Sequence, residues 1–418
     1  RLRLFVKAKR EPKFRFYSVY DRFYRMDVLE AGWELVRANK GSAGVDGVSI
    51  DQIEDAEAGP ERLVQQLHEE LRSKTYRPLP VRRVYIPKPD GRERPLGIPA
   101  VRDRVAQTAA LLVMEPIFEA DFHAASYGFR PGRGAHDALE AIRREMRSGK
   151  TEVYDADLKG YFDSIPRDKL FKAFRMRVTD SSALHLIRLW LDAPVADSRS
   201  GGPPQRTDKG TPQGGVISPL LANIYLHWFD HFFHAENGPA KWARARLIRY
   251  ADDLVVVAHR CSERLVNWIE ETLEQRMGLT INREKTRVVD MQQAGASVDF
   301  LGYTYRYNRD LRGRGHRYLS VHPSKKALAR ERSVLREMTS TKRCFVPIPV
   351  LIAEINRHLR GWANYFSYGY PRVAKRHINS FVRDRLTRHL RRRSQRPFRP
   401  PEGSSYYKHL QAMGLVYL

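Results

Sequence analysis

Two adjacent carboxylates, Asp252 and Asp253, interrupt an apolar, largely β-branched run, Leu247-Ile248-Arg249-Tyr250-Ala251-Asp252-Asp253-Leu254-Val255-Val256-Val257. Apolar residues on both sides of a short polar centre are the pattern of two buried strands joined by a tight hairpin that carries the acids. A buried carboxylate without a partner costs several kcal/mol, so two side by side call for a compensating cation. A divalent ion meets that need, and hard oxygen donors suit Mg²⁺, commonly held by one or two carboxylates with substrate phosphates completing its shell. The chemistry implied is phosphoryl transfer on nucleotides. An acidic pair in a hairpin is more often a plain polar turn, so the rest of the chain must decide.

A second source of acid is Val153-Tyr154-Asp155-Ala156-Asp157-Leu158-Lys159-Gly160-Tyr161-Phe162-Asp163. Strand alternation puts Val153, Asp155 and Asp157 on one face, so one of these acids can meet Asp252 and Asp253 across neighbouring strands. Spacing alone does not say which. Short strands at Val84-Tyr85-Ile86 and Leu96-Gly97-Ile98 flank Asp90-Gly91, a strong hairpin signal, and place Lys88 and Arg94 on opposite arms of one ribbon. Those two cations form either a triphosphate clamp or a solvated basic hairpin. In the glycine-rich stretch Ser126 to Gly134, backbone N–H groups and Arg130 or Arg133 could contact template phosphates. In Lys209-Gly210-Thr211-Pro212-Gln213-Gly214-Gly215 the glycines let backbone come close to a ligand.

The elements that must carry these residues follow from periodicity. Helices are predicted over Tyr20 to Asn39, Pro60 to Lys74, Arg102 to Glu119 and Ala135 to Arg147, with another opening on Ser164 as cap and Pro166 in its first turn. The first fifteen residues read as a basic arm with few apolar anchors. Beyond the acidic hairpin come a helix from Glu263 to Met277 closed by Gly278, a strand at Leu279 to Asn282, and a strand pair within Val298 to Tyr305. From Pro323 onward the pattern is helical and basic. Ser324 caps the first helix, and Leu351, Ile355, Leu359, Trp362 and Phe366 form one apolar stripe. Ile378, Phe381, Val382, Leu386 and Leu390 form another, and a small bundle results. The run Arg391-Arg392-Arg393 near its end is read as tracking phosphates rather than as a merely solvated face.

Composition narrows the class. With 418 residues the chain has room for two or three domains, and a net charge of +26, from 74 basic against 48 acidic residues, calls for a polyanionic partner, for which nucleic acid fits best. No apolar run of about 18 residues and no signal-peptide pattern occurs, so no membrane partner and a cytoplasmic location are expected. The two cysteines, Cys261 and Cys344, are far apart without His or Cys at ligand spacing, which excludes a disulfide framework and a zinc site.

Taken in order, Ile86-Pro87-Lys88-Pro89, Tyr127-Gly128-Phe129-Arg130-Pro131, Asp157 with Phe162, Thr211-Pro212-Gln213-Gly214-Gly215, Tyr250-Ala251-Asp252-Asp253, Leu279-Thr280-Ile281-Asn282 through Lys285, and Phe300-Leu301-Gly302-Tyr303 resemble the successive motifs of group II intron-encoded reverse transcriptases. Arg37 to Gly47 resembles their extra N-terminal motif, and Leu359-Arg360-Gly361-Trp362-Ala363-Asn364-Tyr365-Phe366 resembles their thumb or maturase domain. The resemblance implies an α+β right-hand polymerase with fingers, an antiparallel-sheet palm and a helical thumb. Its expected divisions are an N-terminal extension at 1–75, fingers at 76–150, palm at 151–310 and thumb at 311–418.

The resemblance further implies that Asp157, Asp252 and Asp253, with the Leu158 carbonyl, hold two Mg²⁺ ions about 4 Å apart. It selects Asp157 over Asp155. Lys88 and Arg94 are then the triphosphate clamp, Gln213 and Lys285 lie near the nucleotide, and Tyr250, Gly302, Arg130, Arg133 and the arginines at 391–393 face nucleic acid. Partners implied are an RNA template, a cognate group II intron RNA, a DNA primer or target, and dNTPs. Within the enzyme class the alternative is a group II-like reverse transcriptase adopted by a host for phage defence, CRISPR adaptation or DNA repair. From another class the alternative is a splicing cofactor that binds RNA without polymerising. Under the polymerase reading, the Phe162 ring beneath the incoming sugar clashes with a 2′-hydroxyl. Phe162→Ala should therefore incorporate ribonucleotides more readily in a primer-extension competition, and an unchanged preference for deoxynucleotides would contradict that role.

Overall fold

The computed structural model describes residues 1–87, 91, 93–197, 199, 201–211, 214–309, 317–393 and 398–418; Lys88 and Gln213 therefore lie outside the described residues. The described helices are α1 (Leu2–Arg10), α2 (Tyr20–Phe23), α3 (Met26–Ala38), α4 (Ile50–Asp55), α5 (Gly59–Arg72), α6 (Val101–Glu119), α7 (Ala135–Arg147), α8 (Tyr161–Ser164), α9 (Arg167–Arg175), α10 (Ser181–Leu191), α11 (Ser218–His234), α12 (Pro239–Trp242), α13 (Glu263–Glu271), α14 (Lys325–Met338), α15 (Ile348–Tyr365), α16 (Arg372–Arg392) and α17 (Tyr406–Ala412). The strands are β1 (Val81–Pro87), β2 (Glu93–Ile98), β3 (Glu152–Ala156), β4 (Val195–Ala196), β5 (Arg246–Tyr250), β6 (Asp253–Ala258), β7 (Arg287–Asp290), β8 (Val298–Phe300), β9 (Tyr303–Arg309) and β10 (Arg317–Pro323). The chain divides into two compact units, one made of Arg1–Ala138 and Tyr154–Val288, the other of Leu139–Val153 and Val289–Leu418. No described helix is long and apolar enough to cross a membrane.

In the first unit the sheet that carries the acids has the order β5-β6-β3-β7, with β5 and β6 antiparallel and Tyr250 opposite Asp253. Leu254 to Ala258 are all buried, as expected of an interior strand that is apolar on both faces. A second sheet, β2-β1-β4, is built on the predicted ribbon, in which Ile86 faces Arg94. Helix α6 is buried over most of its surface and lies in the core, as does most of α11.

Several expectations need correction. The N-terminal residues are not a free arm, because Leu4 and Ala8, one helical turn apart, bury one face of α1 while Arg1 pairs with Glu115 at 2.7 Å. The helix expected from Tyr20 to Asn39 is broken into α2 and α3, and Leu35 is 47% exposed. Ser164 ends α8 and donates to the Tyr161 carbonyl at 3.0 Å instead of capping a following helix, so Pro166 stands at the N-cap of α9. Leu279 to Asn282 forms only a single bridge, Ile281 to Leu158, and the neighbouring ladder is made by β7, which periodicity did not reveal.

The second unit holds the antiparallel sheet β10-β9-β8 and the C-terminal helices. Leu301 (φ +49°) and Gly302 (φ +80°) both adopt the left-handed conformation that a two-residue hairpin between β8 and β9 needs. Ser324 accepts from the Ala327 N–H at 3.1 Å as the predicted cap of α14, and the stripe from Leu351 to Phe366 is buried.

One buried acid in the first unit serves no site. Asp103, 1% exposed in the first turn of α6, accepts from the Tyr76 hydroxyl at 2.6 Å and the Leu79 N–H at 2.9 Å, and burial pushes its carboxyl up to about 6. Between the unfolded value near 3.9 and that raised value, the folded chain binds the extra proton. Stability from this group is thus present in full below about pH 4 and is lost as pH rises through about 6, a change of about 3 kcal/mol for two units. Asp103→Asn should flatten urea-unfolding free energy across that window; an unchanged slope would show that Asp103 ionises normally.

Candidate active site and nucleic-acid interface

The acids meet at the hairpin between β5 and β6. Ala251 turns the chain with φ +57°, which leaves Asp252 in the turn and Asp253 at the start of β6. Asp157 lies immediately beyond the end of β3. Asp253 is exposed at the start of β6 although protein crowds around its carboxyl, and its pKa is pushed up to about 7. Burial is the largest cause, followed by the neighbouring charges of Asp252, Asp157 and Asp155. The Asp252 carboxyl is also raised, by burial first and by Asp157, while Arg94 and Arg249 pull it down. Arg94, on β2, lowers Asp253 as well, so this one cation acts on both acids.

Asp155 and Asp157 both reach the cluster, in keeping with their shared face, and they differ in their partners. Asp155 pairs with Arg287 at 3.8 Å. The Oδ2 of Asp157 accepts from Asn282 Nδ2 at 2.8 Å and from Lys285 Nζ at 3.3 Å. Around Leu158 the bridge to Ile281 is made by the flanking bonds Asn282 N–H to Asp157 O (2.8 Å) and Lys159 N–H to Thr280 O (2.8 Å), which leaves the Leu158 carbonyl outside it. Phe162 is 9% exposed, and its carbonyl accepts from the Thr211 N–H at 2.7 Å. Only glycine fits at 210, since a Cβ there would stand 2.6 Å from the backbone of Phe162 and Asp163.

The donor set fits a divalent cation: hard carboxylate oxygens, desolvated and mutually repelling, gain most from a compact double charge. Among the described residues no three acid, histidine or cysteine side chains close into a ready-made ion shell.

The glycine-rich loop departs from expectation. Arg130 does not face solvent: its guanidinium, 3% exposed, is bound to Glu119 at 2.7 Å and to the carbonyls of His123 (2.6 Å) and Ser126 (2.7 Å). With its donors spent on internal acceptors it braces the loop and is not a phosphate contact. Arg133 is half-buried, donating to the Ala124 carbonyl at 2.9 Å and lying over Tyr127. Gly128 packs under the acidic hairpin, and Tyr250 is half-buried beside it.

In the second unit the arginines at 391–393 are exposed at the end of α16, Arg391 stacking on Tyr406 at 5.2 Å. Arg385 on the same helix has its pKa lowered by burial and by the nearby charges of Arg392, Arg388 and Arg336. Cations held this close repel one another and favour a polyanion that would neutralise them. Gly302 is exposed at its turn, a Cβ there standing 3.4 Å from the Phe366 ring.

Sequence reasoning missed Asn282, Asp230 and Asn223, which hold the acids or their hairpin in place. The signal was present for Asp230: an acid inside the apolar helix α11 needs a buried partner, and Arg249, a base inside an apolar strand, needs the converse.

An acid cluster on an antiparallel sheet, faced by a cation from a ribbon and joined in the same chain to a basic helical unit, is a polymerase arrangement. The chain belongs to the reverse transcriptase family: residues 86–305 match the model for reverse transcriptase (RNA-dependent DNA polymerase), and residues 328–409 match the group II intron maturase-specific domain. It is similar to protein YkfC of Escherichia coli (strain K12), 35% identical over 355 residues, covering 77% of this chain and 91% of that protein. It is also similar to the group II intron-encoded protein LtrA of Lactococcus lactis subsp. cremoris, 37% identical over 218 residues, covering 52% of this chain but only 35% of LtrA. Among solved structures, a partial Cas6-RT-Cas1–Cas2 complex overlaps with a TM-score of 0.37 at 22% identity, covering 62% of this chain and 41% of that one, too little to carry an argument. The family's chemistry depends on a divalent metal, and its partners are nucleic acids including RNA.

Proposed function

We propose that this protein copies RNA into DNA, adding units from dNTPs to a primer 3′-hydroxyl, and that it binds a group II intron RNA to assist splicing and retrohoming. The observation that carries the first part is the convergence of Asp157, Asp252 and Asp253, with Arg94 acting on two of them. Those acids and the Leu158 carbonyl would hold two Mg²⁺ ions, whose chemistry when bound is to activate the primer hydroxyl and neutralise charge on the pyrophosphate leaving group. Arg94 and Lys88 hold the triphosphate, the Phe162 ring lies against the sugar, and Gln213 contacts the nucleotide or template near the forming pair. Lys285, 3.3 Å from Asp157, either approaches the triphosphate or helps protonate the leaving group.

In this reading residues 1–75 form the N-terminal extension, 76–150 the fingers, 151–310 the palm and 311–418 the thumb. Tyr250, Gly302, Arg133 and the arginines at 391–393 bear on template and primer, and the protein works in the cytoplasm beside its nucleic acids. Support for the RNA-binding role comes from the maturase-specific match and the crowded cations of α16. Affinity dominated by phosphate contacts should fall steeply with salt. Primer extension on an RNA template with Mg²⁺ and deoxynucleotides should proceed with the protein and vanish with Asp252→Ala. Failure of both proteins to extend would overturn the polymerase reading in favour of a splicing cofactor that binds RNA without copying it.

A further inference from the structure

The ion pair between Arg249 and Asp230 is wholly buried, 0% exposed on both sides. Nε and Nη2 of Arg249 donate to Oδ1 and Oδ2 of Asp230 at 2.9 and 2.6 Å. Its third nitrogen, Nη1, donates to Asn223 Oδ1 and to the carbonyl of Ala251, both at 2.9 Å. Asn223 and Asp230 stand two turns apart on one face of α11, and the Asn223 amide donates to the Gly128 carbonyl at 2.8 Å. Gly128 lies hard against the other side of the same turn, where a Cβ would come within 2.4 Å of the Ala251 nitrogen.

The carbonyl that Arg249 grips belongs to the peptide immediately preceding Asp252. Both peptides flanking Ala251 are therefore constrained, the one before it by the packing of Gly128 and the one after it by Arg249, at a residue in the left-handed conformation that alanine rarely adopts. Stability alone does not account for the arrangement, since apolar residues of similar volume commonly serve as well as a buried ion pair. The fork geometry does account for it. A guanidinium anchored bidentately by Asp230 has its remaining nitrogen aimed in a fixed direction, and a lysine could not do both.

We propose that Asp230 and Asn223, acting through Arg249, are positioning residues that set the direction of Asp252 and Asp253 and thereby the affinity of the acid cluster for its divalent ion. This rests on the metal-site reading of those two acids. None of the three touches substrate or ion; they act through the backbone of the hairpin.

The test is Mn²⁺ binding to the full chain, read by loss of the free-ion electron paramagnetic resonance signal, with thermal unfolding and primer extension on the same samples. Asn223→Ala leaves the ion pair intact and strands no charge. Arg249→Lys keeps a cation opposite Asp230 but loses the fork. Both should bind Mn²⁺ about ten-fold more weakly and extend primers about ten-fold more slowly, with KM for deoxynucleotides and primer–template affinity changed less than about two-fold. Wild-type Mn²⁺ affinity in folded Asn223→Ala and Arg249→Lys, with binding lost in Asp252→Asn, would overturn the positioning role. A lowered unfolding temperature without a change in Mn²⁺ affinity would overturn it equally. Wild-type affinity in Asp252→Asn would instead remove the metal-site reading beneath it.

Discussion

The structure turns on the mutual repulsion of carboxylates that protein has partly stripped of water. Asp253, pushed up to about 7 by burial and by three neighbouring acids, is in an unfavourable place for a folded protein without an ion to offset it. Such a site persists only when the surrounding backbone is determined strongly enough to hold it. Much of the first unit does that work: the β5–β6 pairing fixes the hairpin, the end of β3 supplies Asp157, and Arg249 inside the sheet anchors the turn from below.

Support for the site comes from the interior and contact with ligand from its rim. Arg249 and Arg130 are buried and spend their hydrogen bonds on internal acceptors, whereas Arg94 and Lys285 are exposed beside the acids. A basic side chain thus serves opposite ends according to burial. In the second unit the division is plainer. Apolar stripes close α15 and α16 into the unit's core, and the arginines left outside repel one another until a polyanion arrives.

The acidic hairpin, the strand bearing Asp157, the ribbon bearing Arg94 and the helical C-terminal unit were legible because each couples a strict periodicity to residues whose burial would otherwise be costly. What stayed hidden depended on contacts between distant parts of the chain. Arg130 reads as an exposed base in a glycine-rich loop until Glu119 and the His123 and Ser126 carbonyls are seen around it. Ser164 carries a good capping side chain, yet its hydroxyl turns back to Tyr161 and the next helix starts three residues later. The N-terminal arm has few apolar anchors, but Leu4 and Ala8 bury one face of α1, Arg1 pairs with Glu115, and Arg177 donates to the carbonyls of Ala8 and Phe14. Strand β7 is short and half-polar, and only its place in the sheet identifies it.

If repulsion among desolvated acids is what the site stores, removing one charge should relax the protein in the absence of metal and abolish its response to metal. The measurement is thermal unfolding of the protein and of Asp253→Asn, each with a chelator and with Mg²⁺. The account predicts that Asp253→Asn unfolds at a higher temperature than the unsubstituted protein in chelator, and that Mg²⁺ raises the unfolding temperature of the unsubstituted protein but not of the variant. A variant less stable in chelator, with a Mg²⁺ shift equal to that of the unsubstituted protein, would contradict it.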